Sequence, residues 1–411
     1  MHFDRFRQPM ATPLLLREFG PPVVAQLTES EATALQQCPA GLDVRLTNQP
    51  GMYQLRASQF VGTVILPTRT VRIAPKVSVD RLVHLLGFAP ELAQSFSAAE
   101  GTQFNDVVSA MKTIYAHALQ NLLLRGLLRE YRLEEDELVA VRGRVDVMDL
   151  TLRKFGIFPP LRCRYQEYTV DREPNRRLLS AAVGLANAGN RRDNASRLLA
   201  ELSTRFEGVT LAKYDPKRVV PLRRDRLLTH YDPALAVAEV VLQNASLELA
   251  AAQTDAIAFV VDMNKVYERF VARALMSALD LEPGRQWRMQ AYGLHLDQAA
   301  KIPMRPDVLW RDEHGHPLVV IDTKYKETER ATPQDVQQVV AYCSALGLRD
   351  AVLLYAECPE DEHVINTSGI RVRQWRLSLR GTREDLEREI ERVAEALRKL
   401  LSLLTPHDTP I

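Results

Sequence analysis

Two acidic residues and a lysine near the C-terminal third of the chain have the types and spacing of a hydrolytic site. Asp307 ends one run of β-forming residues, and Asp322 and Lys324 end the next run. Because successive side chains of a strand alternate between its faces, Asp322 and Lys324 are predicted to share one face, with Thr323 turned the other way. If Asp307 lies on the adjoining strand, two carboxylates and one ammonium group converge.

This arrangement suits the hydrolysis of a phosphodiester bond. The reaction needs a water that is nucleophilic near neutral pH and a way to offset the charge on the phosphate, and carboxylate-bound Mg²⁺ provides both. We therefore predict Asp307 and Asp322 as Mg²⁺ ligands, with Mn²⁺ expected to substitute and the Thr323 carbonyl as a further ligand. Lys324 is predicted to orient the attacking water and to stabilise the phosphate charge.

A third acidic group precedes this pair on a predicted helix over 264–279. Glu268 is the candidate, because an acidic residue from a preceding helix often completes a site of this kind. The alternative is a solvated helix carboxylate paired with Arg269 or Lys265, since exposed charges on a helix commonly pair with their neighbours. The sequence leaves both interpretations open.

A capped helix follows the lysine. Thr332 and Pro333 have the order of an N-cap residue and a first-turn proline, which predicts a helix over 333–346. Gln338 and Tyr342 then lie four residues apart on one face of this helix. We predict that this pair binds a DNA phosphate or base next to the carboxylates.

Each motif alone occurs often by chance, but the ordered set is typical of PD-(D/E)xK nucleases. It consists of a helix Glu, a Pro-Asp pair, a hydrophobic strand with Asp-x-Lys, and Gln-x-x-x-Tyr on a capped helix. We therefore predict a metal-dependent endodeoxyribonuclease that hydrolyses phosphodiester bonds. No GxxxxGK[ST] sequence occurs, so nucleotide binding by this chain itself is not expected. The HExxH motif of zinc proteases and the GxSxG motif of serine hydrolases are also absent.

The composition is typical of globular proteins and does not by itself indicate a function. The 411 residues are 46% hydrophobic and 26% charged, with 53 Lys and Arg against 52 Asp and Glu, so a DNA-binding surface has to be a local patch. The four cysteines are far apart, which fits a reducing compartment. No signal-peptide core or membrane-length apolar segment is evident, so we expect a cytoplasmic protein without a membrane partner.

The pattern of elements predicts a mixed α/β (α+β) protein in three parts. Residues 1–100 alternate short β-type runs with turns, which predicts a β-rich N-terminal domain. Residues 101–245 read as a mixed region of helices and strands. Residues 246–411 alternate helices and strands as a PD-(D/E)xK, restriction-endonuclease-like domain does.

Beyond the nuclease motifs, the sequence resembles the McrC family of McrBC-type restriction systems. The resemblance lies in short blocks spread along the chain: Phe60–Gly62, Ile73–Val77, Arg125–Leu127 with Tyr131, Arg142–Val145, Cys163–Glu167, Asp171, Asn175–Arg176 and Tyr267–Val271. It implies a nuclease subunit that cleaves modified (methylated) DNA together with a McrB-like AAA+ GTPase hexamer, whose hydrolysis it stimulates. It also implies that residues 101–245 are the motor-binding part. Two alternatives stay open: a stand-alone RecB-like repair nuclease, and a non-catalytic activator or scaffold of the motor.

Overall fold

The computed structural model describes residues 13–86, 107–146, 160–189, 192–215, 218–219, 222, 229–246 and 257–404. Its helices in these ranges are α1 (Glu29–Gln37), α2 (Val79–Leu86), α3 (Val107–Arg125), α4 (Glu173–Asn187), α5 (Asn194–Ser203), α6 (Asp232–Asn244), α7 (Met263–Ala278), α8 (Pro333–Leu346) and α9 (Arg383–Leu404). None of the helices in the described ranges is long and apolar enough to cross a membrane.

The strands of the same ranges are mostly short. They are β1 (Leu14–Arg17), β2 (Val23–Gln26), β3 (Asp43–Leu46), β4 (Met52–Arg56), β5 (Phe60–Ile65), β6 (Thr70–Ala74), β7 (Glu130–Leu138), β8 (Arg144–Val145), β9 (Leu161–Thr169), β10 (Ala245–Ser246), β11 (Ile257–Asp262), β12 (Trp287–Met289), β13 (Leu294–His295), β14 (Pro303–Met304), β15 (Val308–Arg311), β16 (Pro317–Glu327), β17 (Asp350–Glu357), β18 (Asp361–Val364) and β19 (Arg371–Arg376). The predicted mixed α/β class is confirmed.

The chain divides into two compact units. One, the terminal unit, comprises the described parts of 12–62, 71–88 and 260–411, so segments that are far apart in sequence form it together. The other, the middle unit, comprises the described parts of 63–70 and 89–259. The three-domain division stays a prediction, and its first boundary, at residues 100 and 101, lies outside the described residues.

A six-stranded sheet in the order β12-β15-β16-β17-β19-β18 forms the frame of the terminal unit. The strands β16, β17 and β19 run parallel, whereas β15 is antiparallel to β16. All but the last residue of β17 are buried, as expected for a parallel strand covered on both faces. The crossover from β16 to β17 is α8, which begins after the Thr332 N-cap and ends at Gly347 in the left-handed conformation, as its sequence predicts.

The N-terminal part of the terminal unit contains one helix that hydrophobic periodicity does not reveal. The helix α1 begins at a capping box, in which the Thr28 side chain accepts from the Glu31 amide and the Glu31 carboxylate accepts from the Thr28 amide. Its sequence is mostly polar, so local capping and not an apolar stripe marks it. The strands that flank this helix in sequence, β2 and β3, both pair with β4 in an antiparallel sheet.

The middle unit combines helices with a small antiparallel sheet of β7, β9 and β8. The helices α4 and α5 are separate because the chain turns at Gly189 and the second helix begins at the Asp193 N-cap. Gly143 precedes β8 with a φ of +69°, and a Cβ at this position would lie 2.5 Å from the Arg164 carbonyl oxygen. Only glycine therefore fits where β8 approaches β9.

A buried amide ties together three segments of the middle unit. The side chain of Asn175 has no exposed surface, and its Nδ2 donates to the carbonyl oxygens of Leu128 (3.0 Å) and Val170 (2.7 Å). The Tyr231 hydroxyl donates to Asn175 Oδ1 at 2.8 Å and accepts from the Leu128 amide at 2.7 Å. Each of these buried polar groups is thus satisfied by another, which makes the network costly to break.

Replacing Asn175 tests this account of the middle unit. We expect Asn175→Ala to lower the free energy of unfolding by about 3 kcal/mol, because it leaves buried carbonyl and hydroxyl groups without partners. Urea unfolding followed by circular dichroism measures the change. The control is Asn194→Ala, an exposed residue of the same unit, for which we expect a change below about 0.5 kcal/mol. Equal effects of the two substitutions would contradict the role of the buried network.

Candidate active site

The strand β16 carries the centre of the candidate site. Asp322 is 2% exposed, and its Oδ2 lies 2.5 Å from Lys324 Nζ. The two residues are two positions apart on one strand, so their side chains reach the same face, as predicted. Parallel pairing with β17 on one side and antiparallel pairing with β15 on the other holds this strand in the interior of the sheet.

Asp307 lies immediately before β15, whose first residue Val308 pairs with Ile321. The ladder between β15 and β16 therefore ends beside Asp322. Past its end, the Thr323 amide and hydroxyl both donate to Asp307 Oδ2, at 2.7 and 2.8 Å. Thr323 was predicted to point away from Asp322 and Lys324, and its bonds are to Asp307, because the adjoining strand has ended and the Asp307 side chain occupies the place of a backbone acceptor.

Glu268 approaches the same place from α7. Its half-buried carboxylate accepts a hydrogen bond from Gln290 Nε2, and it interacts electrostatically with both Asp307 and Asp322. The neighbouring Lys265 forms its ion pair with Asp262 instead. The structure thus brings Glu268 to the predicted carboxylates, and of the two alternative partners Arg269 interacts with it electrostatically whereas Lys265 does not pair with it.

The predicted pair on α8 meets the lysine and not the carboxylates. Lys324 Nζ donates to Gln338 Oε1 at 2.9 Å, and Gln338 Nε2 donates to the Tyr342 hydroxyl at 2.9 Å. That hydroxyl in turn donates to the Arg305 carbonyl oxygen at 3.4 Å. In this structure Gln338 positions the Lys324 ammonium, and Tyr342 fixes the orientation of Gln338.

Asp335, in the first turn of α8, adds a further carboxylate. Its Oδ2 accepts from the Tyr355 hydroxyl and pairs with Lys326 Nζ, each at 2.6 Å, and its Oδ1 lies 3.8 Å from Lys324 Nζ. Burial opposes ionisation here, but hydrogen bonds from Lys326, Tyr355 and Thr332 lower the pKa of Asp335 below its usual value. Asp335 is therefore an ionised support for the two lysines of β16.

Burial and mutual repulsion shift the pKa values of the converging carboxyl groups. Desolvation, together with the charge of Asp307, raises the pKa of Asp322 and of Glu268 to about 7. Desolvation likewise raises the pKa of Asp307, although hydrogen bonds from Thr323 oppose the change. Burial by itself would lower the pKa of Lys324, but the contact with Asp322 outweighs it and the pKa is raised. The Lys324 ammonium is thus surrounded by the negative charges of Asp322, Asp335 and Asp307.

The oxygen-rich donor set suits a hard cation. Within the part of the chain that the structure describes, no three His, Cys, Asp or Glu side chains form a metal site by themselves. Mg²⁺ fits such a place because it usually takes only one or two carboxylates and keeps several waters. The buried Asp322 Oδ2 contacts the Lys324 ammonium, and Asp307 is close enough to act on the charge of Asp322. Asp322 and Asp307 are thus the residues that would hold such a cation.

Sequence reasoning missed Gln290 and Arg305 at this site. Gln290 links the Glu268 carboxylate to the Arg305 guanidinium through its two amide atoms. Its backbone amide also donates to the Asp307 carbonyl oxygen at 2.6 Å. A lone glutamine in an irregular stretch gives no periodic or motif signal, so only the adjacency of Arg305 to Asp307 pointed to this side of the site.

Comparison with known structures identifies the fold. It is similar to a chain of the refined half-complex from the tetradecameric assembly of Thermococcus gammatolerans McrB AAA+ hexamers with bound McrC. The TM-score is 0.56 at 16% identity, covering 94% of this chain and 100% of that chain. A chain of the cryo-EM structure of the Thermococcus gammatolerans McrBC complex is 18% identical over 65% of this chain and 88% of its own, with a TM-score of 0.42.

Comparison of sequences identifies the family. No curated protein matches the chain. Residues 55–356 match the family described as the McrBC 5-methylcytosine restriction system component, and this range contains Glu268, Asp307, Asp322 and Lys324. The matched range is well over half of the chain and includes the blocks that resemble McrC. The resemblance is confirmed, and the chain belongs to the McrBC 5-methylcytosine restriction system component family.

Proposed function

We propose that this chain is the DNA-cleaving subunit of a McrBC-type restriction system. The observation that carries the proposal is the convergence of Glu268, Asp307 and Asp322, with the Lys324 ammonium in contact with Asp322, in a member of the McrBC family. The reaction proposed is Mg²⁺-dependent hydrolysis of a phosphodiester bond in modified, methylated DNA. The separated free cysteines suit a reducing compartment, and we place the reaction in the cytoplasm.

The residues of the site divide the work of hydrolysis. Asp307 and Asp322 would hold Mg²⁺, with Glu268 as a further carboxylate, and a bound Mg²⁺ supplies an activated water and offsets charge on the phosphate. The Lys324 ammonium, held by Asp322 and Gln338, lies where it can orient the attacking water and stabilise the developing negative charge. Thr323 fixes one Asp307 oxygen through two hydrogen bonds and so limits the orientations of that carboxylate.

We further propose a AAA+ GTPase hexamer as the partner that selects and moves the DNA. The Thermococcus gammatolerans structure that resembles this fold contains McrB AAA+ hexamers with bound McrC. The present sequence has no GxxxxGK[ST] motif, which fits a division of labour in which the partner hydrolyses the nucleotide. We also propose that the present chain stimulates nucleotide hydrolysis by this partner.

Substitutions of Asp322 and Lys324 test the catalytic assignment. With the partner GTPase, GTP, Mg²⁺ and methylated DNA, we expect Asp322→Asn and Lys324→Gln each to reduce the cleavage rate by about 100-fold or more. Asp322→Asn keeps the side-chain shape but removes the ligand charge, and Lys324→Gln removes the ammonium. Lys265→Ala is the matched control, because this exposed lysine pairs with Asp262 and not with the carboxylates, and we expect it to cut normally.

The same assay separates the alternatives. Undiminished cutting by Asp322→Asn and Lys324→Gln would refute the site assignment. Cutting without the GTPase and GTP would favour a stand-alone nuclease. If the unsubstituted chain stimulates GTP hydrolysis but the complex does not cut, the chain is an activator or scaffold.

The raised pKa values predict a dependence of cleavage on pH. Below about pH 7 Asp322 and Glu268 are largely protonated, and protonated carboxyl groups do not bind metal. The cleavage rate at subsaturating Mg²⁺ should therefore increase as the pH rises through about 7. Because Mg²⁺ competes with protons, a higher Mg²⁺ concentration should move the midpoint to lower pH. A midpoint that does not respond to Mg²⁺ would contradict the assignment of these groups as ligands.

Removal of the metal should change stability in the same pH range. The folded-state pKa of Asp322 lies above its ordinary value of 3.8, so without divalent cations the free energy of unfolding decreases as pH rises from that value to about 7. We expect Mg²⁺ to raise the melting temperature above pH 7 and EDTA to reverse the effect. Asp322→Asn should melt at a temperature that depends far less on Mg²⁺, and an unchanged response would contradict the site.

A further inference from the structure

A surface arm leads directly into the candidate site. It comprises residues 287–306, which form β12, the small β13-β14 pair and the segment that ends one residue before Asp307. The arm contains three Lys or Arg residues and one acidic residue, Asp297. The Asp297 carboxylate accepts from the backbone amides of Lys301 (2.9 Å) and Ile302 (2.7 Å), so it stabilises a turn. The arm is therefore a locally basic surface in a chain of nearly balanced charge.

The Arg305 guanidinium is exposed, and its charge acts on the nearby Asp307 without a direct ion pair. It donates to Gln290 Oε1, which is a neutral acceptor. Among the described residues, none places a carboxylate within ion-pair distance of Arg305. In the same unit, by contrast, Arg371 and Arg373 both pair with the buried Asp350. A cation beside an acidic site that is bonded only to an amide retains its charge for an anionic ligand.

Gln290 fixes the position of Arg305. Its φ of +45° is in the left-handed region, which residues other than glycine seldom adopt. In this conformation its amide and that of Ala291 donate to the carbonyl oxygens of Asp307 and Pro306. The orientation of the side-chain amide follows from its partners, because Arg305 can only donate and an ionised Glu268 can only accept. The arm and the carboxylates are thus held in one fixed geometry.

A second arginine on the arm accompanies an exposed aromatic ring. Tyr292 is 71% exposed, and the Arg288 guanidinium carbon lies 5.0 Å from the centre of its ring. Arg288 Nη2 also donates to the Tyr292 carbonyl oxygen at 3.0 Å, and no described carboxylate pairs with Arg288. An exposed ring next to a cation is a common platform for nucleic-acid bases, since every base has a face that can stack.

We propose that the arm binds the DNA strand next to the phosphate that is cut. Arg305 contacts a backbone phosphate, and Tyr292 packs against a base or sugar. This inference rests on the proposed nuclease function and assigns the surface that holds its substrate. The bound class is nucleic acid because both arginines lack carboxylate partners among the described residues, and because the arm ends at a predicted metal ligand.

Measurements of DNA binding by the full chain in EDTA test the arm separately from cleavage. A short fluorescent duplex is titrated at several salt concentrations, and binding is followed by anisotropy. We expect Arg305→Ala to weaken binding roughly tenfold. The slope of log K against log salt should fall by about one, because one phosphate contact is lost. Arg305→Lys should recover most of the slope, since the positive charge is retained.

Three further variants assign the roles. Gln290→Ala keeps every charge but releases Arg305, so we expect weaker binding than for the unsubstituted chain. Tyr292→Ala should weaken binding without changing the salt slope, and Tyr292→Phe should bind normally. Arg388→Ala is the matched control, because this exposed arginine of α9 already pairs with Asp385, and we expect unchanged affinity and slope.

Two outcomes would overturn the arm as a DNA surface. One is an Arg305→Ala chain, folded by circular dichroism, with the affinity and salt slope of the unsubstituted chain. The other is an unsubstituted chain that does not bind the duplex. The outcome is distinguishable from failure of the nuclease proposal, because cleavage by Asp322→Asn would refute the nuclease site while leaving the binding data on Arg305 intact.

Discussion

The close approach of three carboxyl groups beside the middle of β16 is the constraint on which the candidate site depends. A carboxylate in the interior of a sheet is poorly solvated, and Asp322 has only the Lys324 ammonium close to it. The nearby Asp307 and Glu268 add to the cost of ionising all three groups. Thr323, Gln290 and Gln338, which contact the charged groups, are neutral. They fix positions without cancelling charge, which supports the proposal that the site binds a cation and, through it, a phosphate.

An aromatic contact on the opposite face of β16 supports the cluster of carboxyl groups. Tyr325 follows Lys324 in sequence and Tyr267 precedes Glu268, and the centres of their two rings lie 5.8 Å apart in the core. This aromatic contact joins α7 to β16 behind the charged cluster. Burial also raises the pKa of Glu18, beside Tyr325, to about 7. Glu18 Oε2 accepts from the Lys76 amide at 3.2 Å, so the N-terminal strands contribute to the same support.

The middle unit uses buried polar groups differently. The Lys112 ammonium is 1% exposed and contacts Asp193 Oδ2 at 3.0 Å and Ser196 Oγ at 2.7 Å. Asn175 and Tyr231 likewise satisfy each other and the backbone. A buried charge or amide with complete partners fixes one arrangement of helices and has little tendency to bind a ligand. The carboxyl groups of the candidate site differ in this respect from Lys112 and Asn175, whose charge and amide are satisfied by their neighbours.

The sequence by itself determined what local rules govern. The spacing of Asp322 and Lys324 puts them on one face of a strand, and Thr332 with Pro333 starts α8 at the residue that their capping chemistry indicates. The pairing of β15 with β16 was also evident, because two runs of β-forming residues that are separated by a short turn usually pair. The family likewise followed from short blocks that stand in the sequence itself.

Only the tertiary structure decided which other groups complete the site. Gln290 is 22 residues from Glu268 and 15 from Arg305, so no periodic pattern connects them. The bond from Thr323 to Asp307 depends on where the ladder of β15 ends, which alternation along one strand does not specify. The packing of residues 12–62 and 71–88 with 260–411 is likewise a long-range choice. Local preferences set the elements, but contacts between distant residues follow from the packing of the whole unit.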